Sequence, residues 1–203
     1  MQGHSNWRQD VEIAHGLQTD TFVDTWEYAV RVIAHSISHL NRGACALVLY
    51  RLSDLDWTPT GWGFMVPSPD GNFEKKPIYD AVQETLSTLP TGSQILAPSW
   101  YLHDEPITLS VVYQKEDQSY HLLAANATKR REKKVISLSK KMGQLKLIQK
   151  TILSKSGLVN QKGLTITAKK LTIDLPPQSI ARFTLSKGLK VKELPQKTEL
   201  NEE

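Results

Sequence analysis

Side chains able to do chemistry gather in a few places along this sequence. Asp54, Asp56, Trp57 and Trp62 fall within one polar and aromatic stretch. An indole face stacks well on the C–H face of a sugar ring, and a neighbouring carboxylate accepts hydrogen bonds from hydroxyls. The same tryptophans would serve equally to pack the loop onto its surroundings. His35 and His39 stand four residues apart on a helical pattern, a spacing that can hold a metal ion. No third ligand is obvious, so an ordinary surface pair is expected, and no metal or other cofactor is assigned. Lys129, Arg130, Arg131, Lys133 and Lys134 form a basic run broken only by Glu132. Nucleic-acid binding would want aromatic side chains to stack bases, yet residues 135–182 hold no Trp, Tyr or Phe. The run therefore reads as a solvated hairpin tip, with no nucleic-acid partner. Cys45, the single cysteine, lies inside an apolar run and reads as a core residue, which also excludes an internal disulfide framework. Neither a GxGxxG nor a Walker phosphate loop occurs.

These groups have to be positioned by a chain of 203 residues, enough for one large domain or two small ones. Its net charge of +4 conceals two unlike halves. Residues 1–100 hold 6 Lys/Arg against 11 Asp/Glu, net −5, and all five tryptophans; residues 101–203 hold 19 against 10, net +9. The longest apolar run, Ala44 to Tyr50, is seven residues, far short of the roughly 20 that a membrane helix needs. No membrane partner is expected. The start, MQGHSNWRQD, lacks an apolar run after basic residues, so no secretory signal is read, and the location is left open.

Thr19 to His39 has the strongest helical pattern. Thr19 or Asp20 can cap it, and Phe22, Val23, Trp26, Ala29, Val30, Ile33, Ala34 and Ile37 form one apolar stripe. Asn41-Arg42-Gly43 supplies the stop. Ala44 to Leu52 then reads as a strand buried on both faces, of the kind found in parallel sheets. A loop over Ser53 to Phe73 follows, and a second helix over Lys76 to Leu89, with Pro77 in its first turn. Beyond Gly92 the period falls to two. Thr108–Gln114, Tyr120–Ala125, Lys134–Leu138, Gln144–Leu153, Gly163–Ala168 and Ile180–Leu185 alternate like the short strands of an antiparallel sandwich. The fold class expected is α+β: two helices and a buried strand, then an antiparallel β-sandwich. The expected divisions are 1–92, 93–188 and a disordered tail over 189–203.

This order of parts resembles the C-terminal end of a retaining clan A glycoside hydrolase, a (β/α)8 barrel with a C-terminal β-sandwich of the family 30 and family 39 types. The residues that carry the resemblance are Gly43-Ala44-Cys45-Ala46-Leu47-Val48-Leu49-Tyr50, similar to the eighth barrel strand; Asp70-Gly71-Asn72-Phe73 with Lys76-Pro77-Ile78-Tyr79, similar to the lead into the last barrel helix; and Leu175-Pro176-Pro177-Gln178-Ser179-Ile180, similar to the phrase before the last sandwich strand. It spans roughly residues 15–186.

The resemblance implies that residues 1–92 are the C-terminal part of a barrel and 93–188 the β-sandwich. It places Tyr50 where the family commonly has a tryptophan flooring a sugar subsite, with Asp54, Asp56, Trp57 and Trp62 at the same mouth. Such enzymes use two glutamates, one after the fourth strand and one ending the seventh. The fourth strand has no counterpart here, and the first glutamate, Glu12, stands in a context unlike the nucleophile motif. No catalytic residue is therefore assigned. The leading expectation is a truncated piece of a glycoside hydrolase, not catalytic alone. The alternatives are a subunit that completes a barrel with another chain, or a non-enzymatic carbohydrate-binding or structural β-sandwich module. Carbohydrate is the expected ligand, and the polypeptide bearing the earlier barrel strands, or a second copy, the expected protein partner.

Overall fold

The computed structural model describes residues 22–44, 63–67, 72–86, 89, 91–96, 105–137, 145–162 and 170–187. The expected strand at Ala44–Leu52 lies, beyond Ala44 itself, outside these residues, as do the strand at 163–168 and the tail at 189–203.

The first helix, α1, spans Trp26–Asn41 and is preceded by a 3-10 turn over Phe22–Asp24. Its cap is Thr25, whose hydroxyl accepts from the Tyr28 N–H at 3.2 Å and donates to the Phe22 carbonyl at 2.6 Å. The expected start at Thr19 or Asp20 is thus corrected by six residues or so. Phe22 and Val23 are buried as the stripe requires, but in a separate turn, and the hydroxyl that can close on both sides is the one that caps. Trp26, Ala29, Val30, Ile33 and Ile37 are buried at helical spacing. At the other end, Gly43 takes φ +91°. Its N–H donates to the Leu40 carbonyl and that of Ala44 to the His39 carbonyl, at 3.0 and 3.1 Å, a Schellman closure.

Within the expected loop of Ser53–Phe73 the chain instead forms one side of a small antiparallel ribbon, β1 (Met65–Pro67) with β2 (Phe73–Lys75). Helix α2 follows at Pro77–Thr85, ending a turn earlier than Leu89. Pro77 needs no partner at the first helical position. Lys76 before it is nearly fully buried, with Nζ 2.7 Å from the Asp24 carboxylate, so α2 is tied to the turn that leads α1.

The rest is mostly antiparallel sheet. Strands β3 (Gln94–Leu96), β4 (Ile107–Gln114), β5 (Ser119–Asn126), β7 (Leu145–Ser154), β8 (Gly157–Lys162) and β10 (Ser179–Lys187) make six strands in the order β3-β4-β5-β10-β7-β8. Strands β6 (Glu132–Ser137) and β9 (Lys170–Leu175) pair separately. Two helices and this sheet make the α+β class expected from the sequence.

Apolar side chains from one face of the large sheet, including Leu122, Ala124, Phe183 and Leu185, share a core with Ile136, Leu171, Ile173 and Leu175 of the β6–β9 pair. On the opposite face Leu123, Ala125, Leu153 and Ile180 share a second core with Trp26, Val30, Ile33 and Ile37 of α1 and Ile78 and Ala81 of α2. Strand β5 lies between the two cores, so all eight of its residues are buried.

Candidate functional site

Tyr50, Asp54, Asp56, Trp57 and Trp62, the residues expected to meet a sugar, lie outside the described residues. Within the described part, a cleft of about 640 Å³ opens where the leading turns of both helices meet the β7–β8 hairpin. It is built on the turn between β9 and β10. Trp26 Nε1 donates to the Gln178 carbonyl at 2.5 Å, while the Gln178 side-chain amide donates to Glu27 Oε2 at 3.0 Å. The Gln178 N–H donates to the Thr128 carbonyl at 3.0 Å. These three bonds join the start of α1, the β5–β6 connection and the β9–β10 turn. Gln178 reaches all of them with a left-handed backbone, φ 44°.

The cleft wall offers cations from Lys75 and Lys155 and carboxylates from Asp24, Glu27 and Asp80. Asp24 is paired to Lys76, and Glu27 to Arg31 at 2.7 Å. Burial pushes the Glu27 carboxyl up, but the hydrogen bond and charge of Arg31, with help from Lys129 and Gln178, outweigh it and hold the group below the usual carboxylate range. Its aromatic members, Phe22 and Trp26, are themselves buried and so offer little ring face for stacking. Sequence reasoning missed the cleft, because Gln178 and Lys155 are remote from the helices in the chain and only the Leu-Pro-Pro-Gln-Ser phrase marked the turn.

One other grouping has the outline of a nucleophile and its base. Ser119 Oγ lies 3.0 Å from His121 Nε2. The other ring nitrogen faces the Thr184 hydroxyl at 3.4 Å, not a carboxylate. Both Ser119 and His121 are buried within the sheet. Buried and lacking an orienting acid on Nδ1, His121 is a structural polar link that joins Ser119 on its own strand to Thr184 of β10.

The basic run also has a different setting from the one expected. Strand β5 pairs with β4 and β10, and β6 with β9, so residues 127–131 cross between sheets and are no hairpin tip. Three cations of the run are matched locally: Arg130 meets Glu132 at 2.7 Å, Arg131 meets Asp174 through two hydrogen bonds of 2.7 and 3.1 Å, and Lys134 meets Glu105 at 2.9 Å. His35 and His39 face each other on the outside of α1, with Nε2 atoms 2.8 Å apart.

No family model matches the sequence, and no curated protein matches it. Solved structures do match in fold. A glycoside hydrolase family 30 subfamily 8 xylanase from Clostridium acetobutylicum superposes with TM-score 0.62 at 11% identity, over 81% of this chain and 40% of that one. In fold, the chain resembles the C-terminal portion of a clan A glycoside hydrolase. A family 30 endoxylanase from Clostridium papyrosolvens C71 gives TM-score 0.52 at 11% identity, over 78% of this chain and 39% of its own. A family 51 α-L-arabinofuranosidase from Bifidobacterium longum gives 0.57 at 14%, over 80% and 35%. This chain thus spans well under half the length of the enzymes it matches.

Proposed function

We propose that this chain is the C-terminal part of a glycoside hydrolase, a pair of barrel helices braced by a β-sandwich, and that it does not hydrolyse glycosides alone. The observation that carries the reading is the shared fold, extending over 81% of this chain but 40% of the xylanase. The second half rests on the sequence: retaining hydrolysis needs two carboxyls about 5–5.5 Å apart, and no residue of this chain stands in a context like either catalytic glutamate.

Carbohydrate is the ligand in this reading, with Tyr50, Asp54, Asp56, Trp57 and Trp62 as the residues that would meet it. The purified chain, incubated with aryl xylosides and aryl arabinofuranosides, is expected to release no aglycone above buffer. Turnover that survives repurification would overturn the proposal. Blotting source cells with an antibody to residues 93–188 adds a second readout. A band well above 22.9 kDa would place the chain within a longer enzyme, whereas one at 22.9 kDa would favour a subunit that completes a barrel with another polypeptide.

A further inference from the structure

Strand β8 leaves a long edge of the six-stranded sheet open. It pairs with β7 in an unbroken register over Gly157–Lys162, and among the described residues no strand pairs with its other side. The opposite edge, β3, is only three residues long. An open row of backbone N–H and C=O groups is a template for another strand, and natural sheets blunt it with a bulge, a proline or a charge. Strand β8 has neither bulge nor proline, and Gly157–Asn160 carry no charge. Instead Leu158 and Val159, successive in the chain and so on opposite faces of the sheet, are 44% and 53% exposed.

We propose that two copies of this chain associate through β8, antiparallel about a two-fold axis at Val159, so that their large sheets become one. Charge favours a second copy over a foreign strand. Self-pairing of Gly157–Asn160 opposes no like charges, whereas a charged strand would find no counter-charge there. Continuity of the two cores favours it as well. A two-fold axis normal to the sheet keeps equivalent faces on the same side. Val159 pairs within the chain with Ile152, which packs on the core shared with β6 and β9. On that side the apolar row Ile152–Val159 therefore runs on into the same two residues of the second copy. On the helix side Leu158, paired with Leu153 of the other core, comes opposite the partner copy's Asn160. The Asn160 side-chain oxygen already accepts from Thr151 at 2.7 Å, so it stays bonded beside the apolar neighbour. One strand pair is a small interface, so the dimer dissociates on dilution.

Sedimentation equilibrium of the full chain over a wide concentration range tests this. The average mass is expected to climb from 22.9 kDa towards twice that value and to stop there, because self-pairing consumes the edge. Val159→Lys sets two ammonium groups against each other on the axis and is expected to hold the chain at monomer mass. Val135→Lys on β6, which alters a valine of equal exposure at 54%, is expected to leave the dimer unchanged. Circular dichroism checks that both variants fold. A second readout needs no loss of association. With Cys45 replaced by serine, Val159→Cys is expected to give a covalent dimer on oxidation, since directly opposed Cβ atoms lie about 4.5–5.5 Å apart, close to disulfide reach. Val135→Cys is expected to give none. A monomer at every concentration would overturn the proposal and leave the edge to a strand of another polypeptide. A dimer indifferent to Val159→Lys, or growth past two copies, would overturn it by placing the contact on another surface.

Discussion

Gln178 occupies a backbone region that side-chain-bearing residues usually avoid, and it is tolerated because three hydrogen bonds converge on it. Replacing it separates conformation from contact. Gln178→Gly loses the bond to Glu27 but relieves a left-handed strain of about 1 kcal/mol, whereas Gln178→Ala loses the bond and keeps the strain. The glycine variant should therefore be the more stable by about 1 kcal/mol in urea denaturation, the reverse of the ordinary helix or strand ranking. An alanine variant equal to or better than glycine would mean that the turn relaxes out of its left-handed form. His121 supports a second prediction at this scale. Burial lowers its pKa first, Asp117 opposes, and Arg182 lowers it further. A depressed histidine contributes stability that is complete above the unfolded value near 6.5 and lost as pH falls towards the folded value. The urea midpoint should drop between pH 7.5 and 5.5, and His121→Gln should flatten that slope; an unchanged slope would assign the acid sensitivity elsewhere. Neither residue was legible as important beforehand. Gln178 is conspicuous only through the partners the fold brings to it, and His121 looked like one polar position in a strand.

At the scale of elements, local periodicity marked strands with a core on one face or on both, β5 over Tyr120–Ala125 among them, and missed β8 and β9. Helix α1 was readable because its stripe is one-sided, and its Gly43 stop was readable because a left-handed closure favours glycine. Strand β9, KLTIDL, shows clean alternation of Leu171, Ile173 and Leu175 into the core, yet the preceding run at 163–168 drew the reading away from it. Strand β8 escaped because Leu158 and Val159, neighbours in sequence, are both exposed at 44% and 53%, and this two-sided exposure leaves no period. The site was less legible than the fold: the residues favoured from the resemblance all fall outside the described part, while the cleft depends on contacts between residues that lie 151 and 152 positions apart. The double-sided burial of β5 yields a prediction. Leu123 on its helix-facing side is fully buried, so Leu123→Ala should cost about 2–5 kcal/mol through lost contacts and a residual cavity. Thermal melts followed at a helix-sensitive and a tryptophan-sensitive wavelength should stay coincident in that variant. Divergent transitions would show that helices and sheet unfold separately.

For the molecule as a whole, the consequential fact is that the helices and the sheet bury one another. Leu123, Ala125, Leu153 and Ile180 form an apolar surface on the sheet that α1 and α2 cover, and these residues are 8% exposed or less. A polypeptide beginning at residue 93 retains the other core, between the large sheet and the β6–β9 pair, but uncovers this surface. Contiguous apolar patches on a small protein promote association and dye binding. The shortened chain should therefore keep an antiparallel-sheet circular dichroism spectrum while binding a hydrophobic dye strongly and associating as its concentration rises. The full chain at equal concentration should do so less, since the helices already occupy that face. Weak dye binding by both would mean that the sheet closes this face unaided, and that the helices brace the sheet without being needed to cover it. Equally strong binding by both would locate the main exposed apolar surface elsewhere on the molecule.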